Sequence, residues 1–393
     1  MSVGRRKKKS ILVICPYPKG VSPAQRLKYE QYFDFLSSSG YSIIVYPFIS
    51  RRLWSILYKR GHYPEKLFWT ILGFLNRILI LPLIFFYDGI FVHKYIAPFG
   101  FAFFEKIYPV LNSRLIYDID DMIHLSHSSH ANSFTRWFKK PSRITTLLTK
   151  AKQVITCTPT LDRFARIYNQ NTTDISSTIN TEVYLPVNEY RNQPDKPICL
   201  GWSGSHSTEE YLHLLNEVLK KVASVRSVKL IVIGSGNFHM EGIETESIVW
   251  NEKTEVMDLQ RIDIGLYPLP ESPWIYGKSG LKALQYMALG IPTVASAIGA
   301  NYRVIEHGRS GLLVKNDEQW FQTIIDLIDH PEKRKLIGID GRKRVENHFS
   351  VKANQEHYLM LFDKVYGIPD GFERSGEYQF AKLPDIVESS KLT

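Results

Sequence analysis

Short apolar runs alternate with longer amphipathic stretches along almost the whole chain, and they fall into two successive series. Runs that are rich in Val and Ile and lack polar alternation are typical of parallel strands covered by helices on both faces. The pattern therefore predicts an α/β fold with two Rossmann-like domains, each built on a parallel sheet. The first series is ILVIC, SIIVYPF, GIFVHK, RLIYDID and QVITC, which begin at Ile11, Ser42, Gly89, Arg114 and Gln153, and the second is ICLGWSG, KLIVIGSG, SIVW, DIGLYPL, PTVAS and GLLV, which begin at Ile198, Lys229, Ser247, Asp263, Pro292 and Gly311.

A polar segment with three prolines, VYLPVNEYRNQPDKP, separates the two series and is typical of a linker. It predicts an N-terminal domain over residues 1–188 and a C-terminal domain over residues 189–349. A chain of 393 residues is long enough for two cores of ordinary size. Residues 350–393 are expected to form a last amphipathic helix, ending near Tyr366, and a tail with little apolar pattern.

One segment, LFWTILGFLNRILILPLIFFY from Leu67 to Tyr87, is unusually apolar. Asn76, Arg77 and Pro82 interrupt it, so it lacks the roughly 20 uninterrupted apolar residues of a spanning helix. Basic and aromatic flanks favour a helix that lies in a membrane interface, and the alternative is a crossover helix packed on the sheet. The flanking residues are Arg51, Arg52, Lys59, Arg60 and Lys66, interleaved with Trp54, Tyr58 and Trp69.

The excess of positive over negative charge is concentrated in the first half of the chain. Up to Tyr190 there are 25 Lys and Arg against 12 Asp and Glu, whereas the whole chain has a net charge of +10. This favours an anionic partner such as lipid headgroups or a pyrophosphate-linked acceptor. No nucleic-acid partner is expected, because no recognisable reading module accompanies the charge. Three distant cysteines and the lack of a secretory pattern predict a reduced, cytoplasmic protein.

The strongest candidate for chemistry is LPESPWIYGKSGLKALQYMALGIPTVAS, which follows the DIGLYPL run and opens a helix. Backbone amides at the helix start, including those of Ser279, Gly280 and Leu281, can bind a diphosphate, and Lys278 can neutralise its charge. Gln285 lies two turns beyond Lys278 and is expected to reach a ribose hydroxyl. The alternative is a capped helix with a surface lysine. The glycine spacing fits neither a P-loop nor a dinucleotide-binding turn.

A second turn, GWSGSHST, also follows an apolar run and precedes a helix. Its Gly204 and Ser205 are predicted to converge on the same diphosphate. Trp250 ends the SIVW run, where its ring could stack on a nucleobase or belong to the rim of the core.

The run from Asp263 to Val314, with KSGLKALQYMALGIPTVAS and AIGANYRVIEHGRSGLLV, resembles the donor-binding signature of family-4 glycosyltransferases, in the group 1 class with the GT-B fold. PKGVSPAQRLKYEQYFDFL, YDIDDMIHL, GWSGSHST and DGRKRVENHFSVKANQEHYLMLF occur in the family's order. The resemblance implies two Rossmann-like domains that face a cleft, with the C-terminal helix returning to the N-terminal domain.

The chain departs from the family pattern in the donor loop. Many members have two glutamates here, where this chain has Gly277 and Gln285; a branch of the family has this Gly-Lys and Gln-Tyr-Met-Ala form. Glu271, in the preceding loop, is expected to take over the contact with the sugar. In many members an arginine and a lysine follow the first strand of this domain. This chain has the region around His206 there instead, so more of the diphosphate binding is expected to fall to Lys278.

In the N-terminal half the resemblance implies an acceptor site. Asp121 is expected to take a catalytic part and Asp120 to orient the acceptor hydroxyl; alternatively these aspartates cap a helix and bind loop amides. The other expected acceptor-binding residues are Gly20, Arg26 and His93. His124, His127 and His130 do not have the spacing of a helical zinc pair, so a mobile acceptor loop and no metal site are expected.

The resemblance implies a retaining, metal-independent transfer of a sugar from a nucleotide-sugar, UDP- or GDP-linked, with no separate cofactor. The expected acceptor is a glycan or a lipid-linked molecule in cell-envelope polysaccharide synthesis, such as lipopolysaccharide or capsule. The basic, apolar N-terminal half places the protein at the inner membrane surface, on its cytoplasmic face. A sugar-nucleotide epimerase and a non-catalytic scaffold that binds sugar nucleotides are the alternatives.

Overall fold

The computed structural model describes residues 7–98, 100, 102–123, 142–187, 196–234, 236–374, 376, 378, 380 and 382–385. The chain forms two compact units, divided between Ser176 and Ser177 and again between Ala353 and Asn354. Among the described residues no helix is both long and apolar enough to span a membrane.

The first unit is built on a six-stranded parallel sheet with the order β2-β1-β3-β4-β5-β6. Each of the five apolar runs predicted here forms a strand. The sixth strand has the polar sequence Thr-Thr-Asp and lies at the edge of the sheet, so no apolar pattern marks it. The strands are β1 (Lys9–Cys15), β2 (Tyr41–Pro47), β3 (Gly89–His93), β4 (Leu115–Asp118), β5 (Gln153–Thr156) and β6 (Thr172–Asp174).

Helices cover both faces of this sheet, and their starts follow local chemistry. Thr158 caps one helix by accepting a hydrogen bond from the amide of Leu161, and Pro159 takes the first helical position, where its missing N–H costs nothing. The helices are α1 (Pro23–Arg26), α2 (Phe33–Ser38), α3 (Arg51–Leu57), α4 (Tyr63–Leu79), α5 (Phe103–Leu111), α6 (Ser142–Lys150) and α7 (Pro159–Arg166), with 3-10 turns at Glu30–Tyr32 and Leu81–Phe86.

The second unit has another six-stranded parallel sheet, with the order β12-β11-β10-β7-β8-β9. All six predicted runs form its strands. The strands are β7 (Ile198–Ser203), β8 (Val228–Gly234), β9 (Glu244–Val249), β10 (Ile264–Tyr267), β11 (Thr293–Ser296) and β12 (Leu312–Val314). The helices are α8 (Asn216–Val225), α9 (Glu255–Leu259), α10 (Leu281–Ala288), α11 (Asn301–Val304), α12 (Asp317–Asp329) and α13 (Pro331–Arg344), with 3-10 segments at His206–Leu215 and Pro273–Gly277 and a π-helical turn at Val345–Phe349.

The last helix, α14 (Val351–Tyr366), starts in the second unit and packs into the first from Asn354 onward. Its Tyr366 hydroxyl donates to the Ile90 carbonyl, 2.8 Å away, and its Asp363 accepts from the Tyr41 hydroxyl at 2.5 Å. The structural division precedes the linker that the sequence predicts at 188–189. The reason is that Ile179 pairs with Ser350 of the second unit.

Gly89 makes α14 sensitive to a single methyl group. A Cβ atom added to Gly89 would lie 2.2 Å from the Tyr366 ring and 3.0 Å from the Arg114 carbonyl oxygen. We expect Gly89→Ala to lower the free energy of unfolding by about 1–3 kcal/mol, the usual cost of overpacking, measured by urea denaturation. In a Tyr366→Ala background the added cost of Gly89→Ala should shrink. Strict additivity of the two substitutions would contradict a clash with the ring.

Candidate functional site

The second unit has its switch point between β7 and β10, because the strand order runs outward in opposite directions from this pair. In open α/β sheets, ligands bind outside the carboxyl ends of the strands at such a point. The turn at Gly204 and Ser205 directly follows β7. The loop after β10 leads through a 3-10 segment to the start of α10. The two turns predicted to bind a diphosphate therefore follow the two strands that flank the switch point.

Glycine is required where α10 begins. Gly280 is the N-cap residue and has φ of +75°, in the left-handed region that side chains rarely adopt. A Cβ atom there would also lie 2.9 Å from the Val304 side chain. The preceding Ser279 hydroxyl shares a 2.7 Å hydrogen bond with the Ser177 hydroxyl, which ties the start of the second unit to this turn.

Two lysines lie at this end of α10, Lys278 just before the helix and Lys282 in its first turn. The Lys278 ammonium lies 4.5 Å from the centre of the Trp274 ring, and the Lys282 ammonium lies 4.2 Å from the Trp202 ring. Lys282 also donates to the Thr208 hydroxyl at 3.2 Å. Burial and the charge of Lys278 lower the pKa of Lys282 to about 7. A bound anion would relieve the repulsion between these two groups.

Lys282 is a residue that the sequence reasoning missed; it lies in the first turn of α10, whereas Lys278 precedes the helix in extended backbone. The structure also shows a reason for glycine at position 204. A Cβ atom at Gly204 would lie 2.5 Å from the Lys282 ammonium nitrogen and 2.4 Å from the Trp202 ring. Gly204 thus leaves room for the ammonium beside the turn, and Ser205 begins the 3-10 segment that follows.

Gln285 belongs to a buried polar network. Its side-chain amide donates to the Tyr184 hydroxyl and to the Glu255 carboxylate, both at 3.1 Å. The same carboxylate accepts from the Trp250 indole N–H at 3.0 Å and from Tyr184 at 2.8 Å. Glu255 was also missed, because it precedes Gln285 by 30 residues and nothing local marks the pairing. Contacts of Gln285 with a ribose and of Trp250 with a base stay predictions.

The remaining donor-loop prediction concerns Glu271. This residue is exposed in the loop after β10, whereas Gly277, at the end of the 3-10 segment, is buried. A contact between Glu271 and the sugar stays a prediction.

In the first unit the switch point lies between β1 and β3, and His93 is the last residue of β3. His93 is fully buried, and its Nδ1 lies 2.5 Å from Asp118 Oδ2. The buried Lys28 ammonium lies 2.6 Å from the other oxygen of Asp118. Asp118 therefore fixes the imidazole ring, with Nε2 as the remaining nitrogen, which makes no hydrogen bond among the described residues.

Asp120 forms a second charged pair in this region, 3.1 Å from the Lys94 ammonium. Burial acts to raise the pKa of Asp120, but Lys94, His93 and Lys28 outweigh it and lower the pKa to about 2. Lys94 has φ of +60°, which is uncommon for a residue with a side chain, and the Tyr117 hydroxyl donates to its carbonyl. Backbone strain of this kind clusters at functional sites.

The other three N-terminal residues have different surroundings. Asp121 accepts a hydrogen bond from the Met122 amide at 2.9 Å, as the loop-binding alternative expects. Gly20, with φ of +89°, donates its amide to the Glu30 carboxylate at 2.9 Å. Arg26 is half-buried at the end of α1. Their roles in acceptor binding or catalysis stay predictions.

The structure describes only some of the residues that could bind a metal ion. In the part that the structure describes, no three His, Cys, Asp or Glu side chains are grouped so that they could hold a metal ion. The histidines at 124, 127 and 130 lie outside the described residues.

The chain is a two-domain α/β protein. Each of its units is doubly wound and has polar side chains at its switch point. Residues 197–330, all within the second unit, match the family model described as Glycosyl transferases group 1. The second unit therefore contains a segment that matches the group 1 glycosyltransferases. The model does not extend over the first unit.

Curated relatives match over limited segments. The capsular polysaccharide biosynthesis glycosyltransferase CapM of Staphylococcus aureus is 24% identical over 188 residues, 44% of this chain and 48% of the relative. Spore coat protein SA of Bacillus subtilis is 33% identical over 81 residues, 20% of this chain and 22% of the relative. The match thus spans less than half the length of either relative.

Solved structures match over nearly the whole chain. Sucrose-phosphate synthase from Thermosynechococcus elongatus has a TM-score of 0.64 and 16% identity, covering 91% of this chain and 99% of that one. Anabaena HepE in complex with UDP-glucose has a TM-score of 0.64 and 14% identity, covering 90% and 99%. At this identity the similarity establishes the fold: the chain has the two-domain GT-B fold.

Proposed function

We propose that this chain is a retaining, metal-independent glycosyltransferase that uses a UDP- or GDP-linked sugar as its donor. The observation that carries the proposal is the pair Lys278 and Lys282 at the start of α10, beside the turn at Gly204 and at the switch point of the second unit. The group 1 glycosyltransferase model covers the same unit. The first unit, with His93 and Asp120 at its own strand ends, is proposed to bind the acceptor.

The proposed chemistry is displacement of a nucleoside diphosphate. The bond between the sugar C1 and the phosphate oxygen breaks, and a new bond forms from C1 to the acceptor hydroxyl oxygen on the same face. The hydroxyl proton passes to the departing phosphate oxygen. The two ammonium groups and the amides of Ser279 and Gly280 stabilise the negative charge that develops on the diphosphate. One such preorganised donor is worth about 10²- to 10³-fold in rate.

The charge of the chain and the names of its relatives indicate which classes of donor and acceptor to propose. HepE has been solved with UDP and with UDP-glucose, so UDP-sugars are the first donors to test. CapM, which is named for capsular polysaccharide biosynthesis, supports an acceptor in a cell-envelope glycan. The excess of Lys and Arg in the first half of the chain supports a reaction at the anionic cytoplasmic face of a membrane, with a glycan or lipid-linked acceptor.

A thermal-shift panel tests the donor site. We expect either UDP- or GDP-sugars, and not CDP- or ADP-sugars, to raise the unfolding temperature. A ligand at 100 times its Kd stabilises the folded state by about 2.7 kcal/mol. Product analysis with the stabilising donor then separates the functions. Transfer or slow donor hydrolysis supports the proposal, an isomerised free sugar indicates an epimerase, and an unchanged donor indicates a scaffold. A flat panel would count against donor binding altogether.

A further inference from the structure

Helix α4 buries a charged side chain and exposes several large apolar ones. Its one arginine, Arg77, is fully buried and donates to the carbonyls of Cys15, Tyr46 and Ile96 at 3.1, 3.0 and 2.7 Å. These carbonyls lie in or next to the ends of β1 and β2 and in the segment after β3, so Arg77 fastens the inner face of α4 to the sheet. Several large apolar side chains of α4 are exposed, whereas its Trp69 and Phe74 pack against the core.

Exposed apolar side chains continue along the chain from α4 into the 3-10 turn after it. Successive exposed residues of α4 are three or four positions apart, the spacing of one side of a helix, and 17 residues extend it for about 25 Å. In the 3-10 turn that follows, Phe85 and Phe86 are 63% and 82% exposed. We call this the α4 face; its main residues are Leu67, Ile71, Leu75, Leu79, Phe85 and Phe86.

Basic side chains lie next to the α4 face in the sequence. Residues 51–87 contain six Lys and Arg and one acidic residue, Glu65, which pairs with Arg52 at 2.7 Å. Arg77 is the only buried member of the basic set; Arg51, Arg52, Lys59 and Arg60 are exposed. An apolar helix face with basic flanks fits an anionic lipid surface, where aliphatic and aromatic groups enter the headgroup boundary and cations contact phosphates.

The positive charge near the α4 face also favours lipid over a second copy of the chain as the partner of this face. A two-fold symmetric dimer through the α4 face would bring the same patch together from both copies. The exposed arginines and lysines of one copy would then approach those of the other, which is unfavourable. An anionic bilayer instead neutralises them.

We infer that the α4 face docks on an anionic membrane, inserting Leu79, Phe85 and Phe86 while Arg51, Lys59 and Arg60 contact lipid phosphates. This inference specifies which surface produces the membrane location proposed above. It rests on that part of the proposed function alone and does not depend on the donor site. The face lies entirely in the first unit, so the surface presented to the lipid belongs to the unit that we propose binds the acceptor.

Vesicle co-sedimentation tests the inference with the whole chain. The protein should bind phosphatidylcholine vesicles that contain phosphatidylglycerol and bind vesicles without it at least about tenfold more weakly. Phe85→Ser with Phe86→Ser should weaken binding to the anionic vesicles at least about tenfold, because two exposed aromatic side chains are lost from the face. Lys59→Glu with Arg60→Glu should have an effect of similar size, confined to the anionic vesicles.

The matched control is Val249→Ser with Leu336→Ser, two exposed apolar positions in the second unit, which should bind vesicles like the unchanged chain. The nucleotide thermal shift is measured on every variant, so that loss of vesicle binding with an intact nucleotide response is attributed to the α4 face. Absence of vesicle binding by the unchanged chain would overturn the inference while leaving the donor site in place. A concentration-dependent dimer that the Phe85 and Phe86 substitutions dissociate would also overturn it, in favour of a second copy.

Discussion

Replacing Lys278 with alanine will reduce the rate of sugar transfer by about 10²- to 10³-fold while leaving the fold intact. The physical reason is that the ammonium group stabilises charge that appears on the diphosphate only as the bond to the sugar breaks. Its aliphatic stem is half-buried at the surface of the second unit, and its ammonium contacts the Trp274 ring, so truncation leaves no buried charge behind. Thermal unfolding should therefore change little.

The test compares steady-state transfer by Lys278→Ala with transfer by Lys335→Ala. Lys335 is an exposed lysine on α13 of the same unit, so its substitution removes the same charge from a different place. The control should transfer at the unchanged rate. If Lys278→Ala retained near-normal turnover, or lost it only by unfolding, the role assigned to Lys278 would be wrong.

Replacing Lys282 will lower kcat/KM by roughly a hundredfold and will also change how donor affinity depends on pH. Burial and the charge of Lys278 lower the pKa of Lys282 to about 7 in the free protein. A bound diphosphate favours the charged form and raises that pKa, so donor binding above pH 7 takes up a proton. Affinity should be greatest below pH 7 and fall by about tenfold per pH unit above it, as one linked proton requires.

The pH profile is measured by titration with a UDP-sugar, whose phosphates carry no proton that titrates in this range. Lys282→Arg keeps the positive charge and cannot lose it, so its donor affinity should stay constant between pH 6.5 and 8.5. Lys282→Met should bind weakly at every pH. A profile for the unchanged protein as flat as that of the arginine variant would show that Lys282 is not the linked group.

The fold was predictable because most of its strands are short apolar runs that the two sheets bury. All 11 apolar runs form strands, and among the described residues the strand that no run predicted is β6, a polar three-residue edge. The two compact units divide before the predicted linker because residues after Ser176 contact partners far away in the sequence. Ser177 bonds to Ser279 and Tyr184 bonds to Glu255, and no local pattern announces either contact.

The parts of the candidate site that depend on a local sequence motif were predictable. The parts that depend on contacts between residues far apart in the sequence were not. A glycine-rich turn at a helix start marks Lys278 and Gly280. The environment of Lys282 depends on Trp202, 80 residues earlier, and that of Gln285 depends on Glu255. Asp118 lies in the RLIYDID run, but its contact with His93 needs the sheet to bring β3 and β4 side by side, and its contact with Lys28 joins residues 90 positions apart.

Calorimetric titration of nucleoside diphosphates against the matching nucleosides tests the central claim most directly. UDP and uridine, or GDP and guanosine, differ only in the two phosphates that the turn at Gly277 is proposed to hold. The unchanged protein should bind its preferred diphosphate at least about a hundredfold more tightly than the nucleoside, and Lys278→Ala with Lys282→Ala should lose most of that preference and keep only the part that the backbone amides supply. A double variant that keeps the full preference for the diphosphate would contradict the account.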